Sequence, residues 1–136
     1  MSRWLGLDVG EKRIGVAVSD PLGITAQGIK AIERKSVKKD CMHIFSLYDE
    51  YDAQGIVVGL PKNMNNTLGF KAEEIQLFVK ELLKRREVPI EWIDERLTTV
   101  SAERVLLEAD VSRNKRKQVV DKLAATFILQ TFLDKR

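Results

Sequence analysis

The sequence predicts an α/β fold, a mixed sheet with helices on its faces, and three observations carry that expectation. The first third of the chain reads as consecutive strands joined by turns. The remainder alternates helical and strand-like periods and closes on two helical segments. At 136 residues the chain is long enough for one core and too short for two lobes, so residues 1–136 are expected to form a single domain.

Arg3–Val9 is an apolar run, Gly10-Glu11-Lys12 supplies a turn, and Arg13–Ser19 resumes the run, the pattern of an antiparallel hairpin. Asp20-Pro21-Leu22-Gly23 marks a second turn before a third strand at Thr25–Ile32. The period then lengthens. Val37, Cys41, Ile44, Phe45, Leu47 and Tyr48 fit a helix over Ser36–Tyr51 with Ser36 as its cap. Gly55–Leu60 has the β-branched, apolar character of a buried parallel strand, and Pro61–Gly69 is a polar loop. Ala72, Ile75, Phe78, Val79, Leu82 and Leu83 make Phe70–Arg86 an amphipathic helix. Pro89–Asp94 is a fifth strand. Thr98 and Thr99 offer caps for a helix to about Ala109, and Lys115–Lys135 forms the last helix, with an expected core stripe of Val120, Leu123, Ala124, Phe127 and Ile128 extended by Phe132.

A composition of 44% hydrophobic and 32% charged residues suits a soluble α/β protein, and a net charge of +3 alone says little about nucleic acid. Cys41 is the single cysteine, which fits a reducing compartment. The N-terminal apolar stretch meets Asp8 and then Glu11-Lys12-Arg13 before a signal core could form, and no apolar run approaches the roughly 20 residues needed to cross a bilayer. A cytoplasmic protein without a membrane partner is expected.

Three carboxylates stand out. Asp8 shares a strand face with Trp4 and Gly6, and an ionised carboxylate there is costly unless paired or bound to a cation. Its flanking Gly6 and Gly10 leave room for a ligand or another backbone; the competing reading is an ion pair with Lys12 or Arg13. Asp94-Glu95 ends the fifth strand, where α/β folds place ligands. Alternation groups Asp94 with Ile90 and Trp92, and Glu95 with Glu91 and Ile93, so one of the two faces a site; alternation does not choose between them. Asp121 falls at the border of the last helix's stripe, beside the small Ala124 and Ala125, and a simple pair with Lys117 one turn earlier is its competing reading. Acids without a cysteine–histidine cluster point to a hard divalent cation such as Mg²⁺ or Mn²⁺ rather than zinc. Cys41 and His43 read as packing or surface residues.

Four ordered strings carry a family resemblance: Leu7-Asp8-Val9-Gly10 continuing through Lys12–Ala17 to Ser19-Asp20; Gly59–Met64 with Asn65-Asn66-Thr67; Asp94–Thr99; and Val120-Asp121 with Ala124-Ala125 and Ile128-Leu129-Gln130. Over nearly the whole chain the sequence resembles the bacterial YqgF-type family, described as Holliday-junction resolvases and as pre-16S rRNA processing nucleases. The resemblance implies a ribonuclease H-like fold, a five-stranded mixed sheet with helices on both faces, and a nuclease using Mg²⁺ or Mn²⁺. It implies Asp8, Glu95 and Asp121 as catalytic, metal-binding acids, and so selects Glu95 over Asp94. Where family members often have Pro-Arg after the loop glycine, Phe70-Lys71 follows Gly69 here, which removes the proline that would start the helix.

Given that assignment, Lys12, Arg13, Lys62, Asn63, Arg96 and Lys117 are candidate phosphate contacts around the acids. The run Arg113–Lys117 otherwise reads as a solvated connector, and Lys84-Arg85-Arg86 as charge favoured at a helix C-terminus. The expected partner is nucleic acid, precursor rRNA or branched DNA. A resolvase cutting two strands would want a symmetric homodimer, whereas an rRNA end-processing enzyme could act as a monomer. Two other functions compete. The Asp8-Val9-Gly10 turn also resembles a phosphate motif of two-lobed sugar-kinase and actin-like ATPases, for which this chain is short. A non-catalytic RNA-binding ribosome-assembly factor is the other.

Overall fold

A computed structural model describes residues 3–61, 69–94 and 113–136, with residues 113–120 described by their backbone alone. Strands β1 (Arg3–Val9), β2 (Arg13–Ser19), β3 (Ala26–Glu33), β4 (Ala53–Leu60) and β5 (Ile90–Asp94) join in one sheet of order β3-β2-β1-β4-β5. The first three run antiparallel in sequence, β4 is parallel to β1, and β5 is parallel to β4. Helices α1 (Val37–Glu50) and α2 (Phe70–Arg85) cover one face and α3 (Arg113–Lys135) the other.

The strand period of two sorts the core into two clusters. Leu5, Leu7 and Val9 of β1 pack with Ile44, Phe78 and Leu82 beneath α1 and α2. On the opposite face Trp4 packs with Ala125, Ile128 and Leu129 of α3. β4 is covered on both sides, Ile56 and Val58 by one cluster and Val57 by the other, which is why its sequence is continuously apolar. Each fully buried aliphatic side chain here contributes about 1.5–3 kcal/mol against exposure.

The β1–β2 hairpin forms with Asp8 directly opposite Gly15, and the Gly10 N–H donates to the Arg13 carbonyl at 2.9 Å. In the next turn the Asp20 carboxylate accepts from the N–H groups of Ile24 and Thr25 at 2.7 and 2.9 Å. The Thr25 bond, foremost, lowers the Asp20 pKa. Ser36 caps α1 by accepting from the Lys39 N–H at 3.2 Å. α2 begins at Phe70 without proline, on an extended Gly69 that offers no side-chain cap. The helix expected from Thr98 or Thr99 to Ala109 lies outside the described residues.

One expectation is corrected. The buried row of α3 is Ala124, Ala125, Ile128, Leu129 and Leu133, while Leu123 and Phe127 are only half-buried. The helix is rotated from the predicted stripe because small residues set its closest approach. A Cβ at Gly6 would lie 2.7 Å from Leu129 Cβ and 3.0 Å from the Ala125 carbonyl oxygen. α3 therefore rests its 121/125/129 row directly on the sheet backbone. Bulky Phe127 lies outside that row and stays half-buried.

Candidate active site

The same close approach builds the site. Gly15 lies under the backbone of Asp121, with space for no side chain between them. Gly15 is the cross-strand partner of Asp8, and residues directly opposite in an antiparallel pair project to the same face. Asp8 is two residues along β1 from Gly6, which also faces α3. Two acids far apart in sequence are thus brought to the same, α3-covered face at the carboxyl end of β1. Both are half-buried.

Arg13, at the start of β2, places Nε 2.8 Å from Asp121 Oδ2, and its NH1 lies 3.8 Å from Glu33 Oε1. Arg13 and Asp121 are only 19% and 21% exposed, so this ion pair is better shielded than a surface pair. The Lys117 suggested by spacing as a partner of Asp121 has its side chain outside the described residues; among those residues Arg13 pairs with Asp121 from β2. The pair holds one carboxylate oxygen in a fixed orientation and partly offsets the charge concentrated here.

β5 sorts the third acid. Ile93 packs in the α3-side cluster, whereas Trp92 lines a groove with Leu77, Lys80 and Leu83 of α2. Asp94 alternates with Ile93 and so belongs to the α2 side of the sheet, away from Asp8 and Asp121. Glu95, Arg96, Lys62 and Asn63 lie outside the described residues, as does the side chain of Lys117. Lys12 is exposed in the β1–β2 turn beside Asp8.

Sequence reasoning missed the support of that turn. Arg34, just past β3, donates from NH1 to the Gly10 carbonyl at 2.8 Å, and its backbone N–H donates to the Lys12 carbonyl at 2.9 Å. Its Nε donates to Asp40 Oδ2 at 3.2 Å, and the guanidinium lies 4.9 Å from the Phe78 ring centroid. Asp40 is 3% exposed and also accepts from the Lys35 N–H at 3.0 Å. A carboxylate in the first turn of α1 that is buried and satisfied on both oxygens therefore anchors the arginine that holds the loop following Asp8. The available signal was an acid at the helix start, six residues after an arginine. Gln130 was also missed as a clamp: its Oε1 accepts from the Ala26 N–H and its Nε2 donates to the Ile24 carbonyl, each at 2.9 Å, tying α3 to edge strand β3.

Cys41 is fully buried, and burial, foremost, raises its thiol pKa, so it is a packing residue. Among the described residues no three His, Cys, Asp or Glu side chains gather closely enough to hold a metal ion, and no helix is long and apolar enough to cross a membrane.

Residues 2–135 match the family model described as RuvX, Holliday junction resolvase. A Clostridium beijerinckii protein named "Putative pre-16S rRNA nuclease" is 55% identical over 132 residues, covering 97% of this chain and 96% of its own length. A protein of the same name from Natranaerobius thermophilus is 54% identical over 134 residues, covering 98% and 95%. Among solved structures, T. thermophilus RuvC in complex with a Holliday junction substrate superposes with a TM-score of 0.61 at 14% identity, covering 99% of this chain and 96% of that one. The fowlpox virus resolvase with Holliday junction DNA gives 0.55 at 14% identity, covering 98% and 97%. Such low identities speak to fold alone, and that fold is ribonuclease H-like. By the span of its family match and its identity to full-length relatives, the chain belongs to the RuvX family of nucleases, in which the YqgF-type resemblance had placed it.

Proposed function

We propose that the chain is a divalent-metal-dependent endonuclease that processes the 5′ end of precursor 16S rRNA in the cytoplasm, working as one domain. The observation that carries this reading is the seating of Asp121 on Gly15, opposite Asp8, which gathers two acids on one sheet face at the carboxyl end of a central strand. The names of relatives more than 50% identical over the full length support precursor rRNA as substrate.

Asp8, Asp121 and Glu95 would hold Mg²⁺ or Mn²⁺. The donor set is all oxygen, which fits a hard cation. The placement of Asp94 on the α2 side supports Glu95 as the third acid. When bound, the cation supplies a Lewis acid for water activation and for the departing oxygen. The chain's own residues do the rest. Asp8 and Asp121 present fixed negative charge at the carboxyl end of central strand β1. Arg13 orients Asp121, so its first role is positioning and only its outer N–H groups are left for phosphate. Lys12, Lys62, Asn63, Arg96 and Lys117 would engage the phosphates flanking the scissile bond.

The test is Asp8→Asn, assayed on precursor 16S rRNA and on a four-way DNA junction side by side under magnesium or manganese. Cleavage of the rRNA should fall by at least about a hundredfold, since an acid that acts as metal ligand and orienting group is removed. Wild-type rates in the variant would sink the proposal. The second reading, cleavage of Holliday junctions by a symmetric dimer, is favoured by the family's description and by preference for the junction in the same assay.

A further inference from the structure

A second basic feature sits around the β3 edge from the acids. Between β3 and α1 lies a cleft of about 360 Å³ lined by Lys30, Lys35, Lys39 and His43. All three lysines are exposed, and among the described residues none forms an ion pair. The acids nearby are already committed. Asp40 is buried on Arg34 and the Lys35 N–H, and Glu33 reaches toward Arg13. Burial first, then the Lys30 charge, lower the His43 pKa, with Asp40 opposing the shift. Glu33 and Asp40 also line the cleft, but with Asp40 paired to Arg34 its three lysines outnumber the acids.

Its position relates it to the acids. Ala31 of β3 pairs with Gly15, which pairs with Asp8, so Lys30, one residue off that row, projects from the opposite, α1-facing side of the sheet. Two strand spacings of about 4.8 Å separate β1 from β3, and because α3 seats on Gly15 and Gly28 a strand bound at the acids reaches that edge past the β1–β2 turn rather than across the sheet face. Arg34 joins the two regions directly, since its N–H bonds the Lys12 carbonyl and Lys35 follows it in the chain. We infer that the Lys30–Lys35–Lys39 cleft binds the phosphodiester backbone of the nucleic-acid strand as it leaves the acids and turns over the β3 edge. This inference rests on the nuclease reading for its ligand class.

The experiment measures binding apart from cutting. Full-length protein carrying K30Q, K35Q and K39Q is compared with wild type in filter binding to a long precursor 16S rRNA fragment, with EDTA present, across a salt series. Loss of three phosphate contacts should weaken binding about tenfold at low salt and reduce the log–log salt slope by about 2. With magnesium restored, cleavage of an oligonucleotide of a few nucleotides, too short to pass the edge, should keep its wild-type rate. Unchanged long-RNA affinity and slope in the triple variant would overturn the inference, and would return the lysines to a solvated face or a protein partner. If the triple variant melts early, K39Q alone decides, with an expected slope change of about 0.7. Wild-type protein that binds RNA but cuts nothing would overturn the nuclease reading while leaving the cleft result intact.

Discussion

Gly15→Ala isolates the contact on which the site depends. A Cβ at this position would lie 2.5 Å from the Asp121 carbonyl carbon and nearer still to its oxygen. Comfortable carbon contacts are about 3.5–4.0 Å, so α3 would have to lift by about 1 Å. Both colliding groups are backbone, so no rotamer change relieves them. Overpacking of this kind costs about 1–3 kcal/mol, a fall in Tm on the order of 5–10 °C for a chain this size. A displacement of 1 Å between Asp8 and Asp121 should also cost cleavage about a hundredfold, because orientation is lost as well as stability. Gly28→Ala is the milder comparison on the same helix, since a Cβ there would lie 2.9 Å from the Thr126 hydroxyl and 3.1 Å from the Lys122 carbonyl oxygen, contacts far slacker than those at Gly15. Thermal melts and single-turnover cleavage of precursor rRNA well below Tm give both readouts. If Gly15→Ala melts early yet cuts at the wild-type rate, the argument that this seat positions the acids is refuted; wild-type melting would refute the steric argument itself.

Two more perturbations probe the supports. Asp40→Ala strips Arg34 of its buried partner and leaves the Lys35 N–H unsatisfied, so urea unfolding should show a loss of about 3–5 kcal/mol, with the low end favoured because Arg34 is partly exposed; a loss under 1 kcal/mol would show that the pair does not anchor the loop. Gln130→Ala removes both bonds to β3 and should cost about 1–3 kcal/mol, with hydrogen exchange at the Ala26 amide accelerated while amides in β1 stay protected; unchanged Ala26 protection would refute the clamp.

Local rules placed the elements well because the signals were local. β1 and β2 match the expected spans, and Ser36 caps α1 as its position before an apolar stripe implied. α3 went astray by one register because helical periodicity ranks residues by hydrophobicity, whereas the sheet selects by size. Glycines at 6 and 15 admit the Asp121–Ala125 row and turn Phe127 aside. A rotation of this kind is a property of two surfaces, and only one of them is visible in the helix sequence. The pairing of Asp121 follows the same logic. Lys117, whose side chain lies outside the described residues, is the nearest candidate along the helix, whereas Arg13 arrives from another element once α3 is seated. Asp8 and Asp121 were legible as unusual acids and the family resemblance grouped them, yet nothing in spacing alone disclosed Arg34 and Asp40, whose importance comes from burial.

The hydrogen bond from Arg13 to Asp121 spans 108 residues, and the one from Ala26 to Gln130 spans 104. Translation delivers residues at about 5–20 per second, so Asp8 and its hairpin exist for roughly 5–20 s before Asp121 is made. The nascent chain can pair β1, β2 and β3 in that interval but holds only part of its acid set. On the nuclease reading proposed above, the cutting centre assembles only after α3 has emerged from the exit tunnel and Asp121 has docked on Gly15.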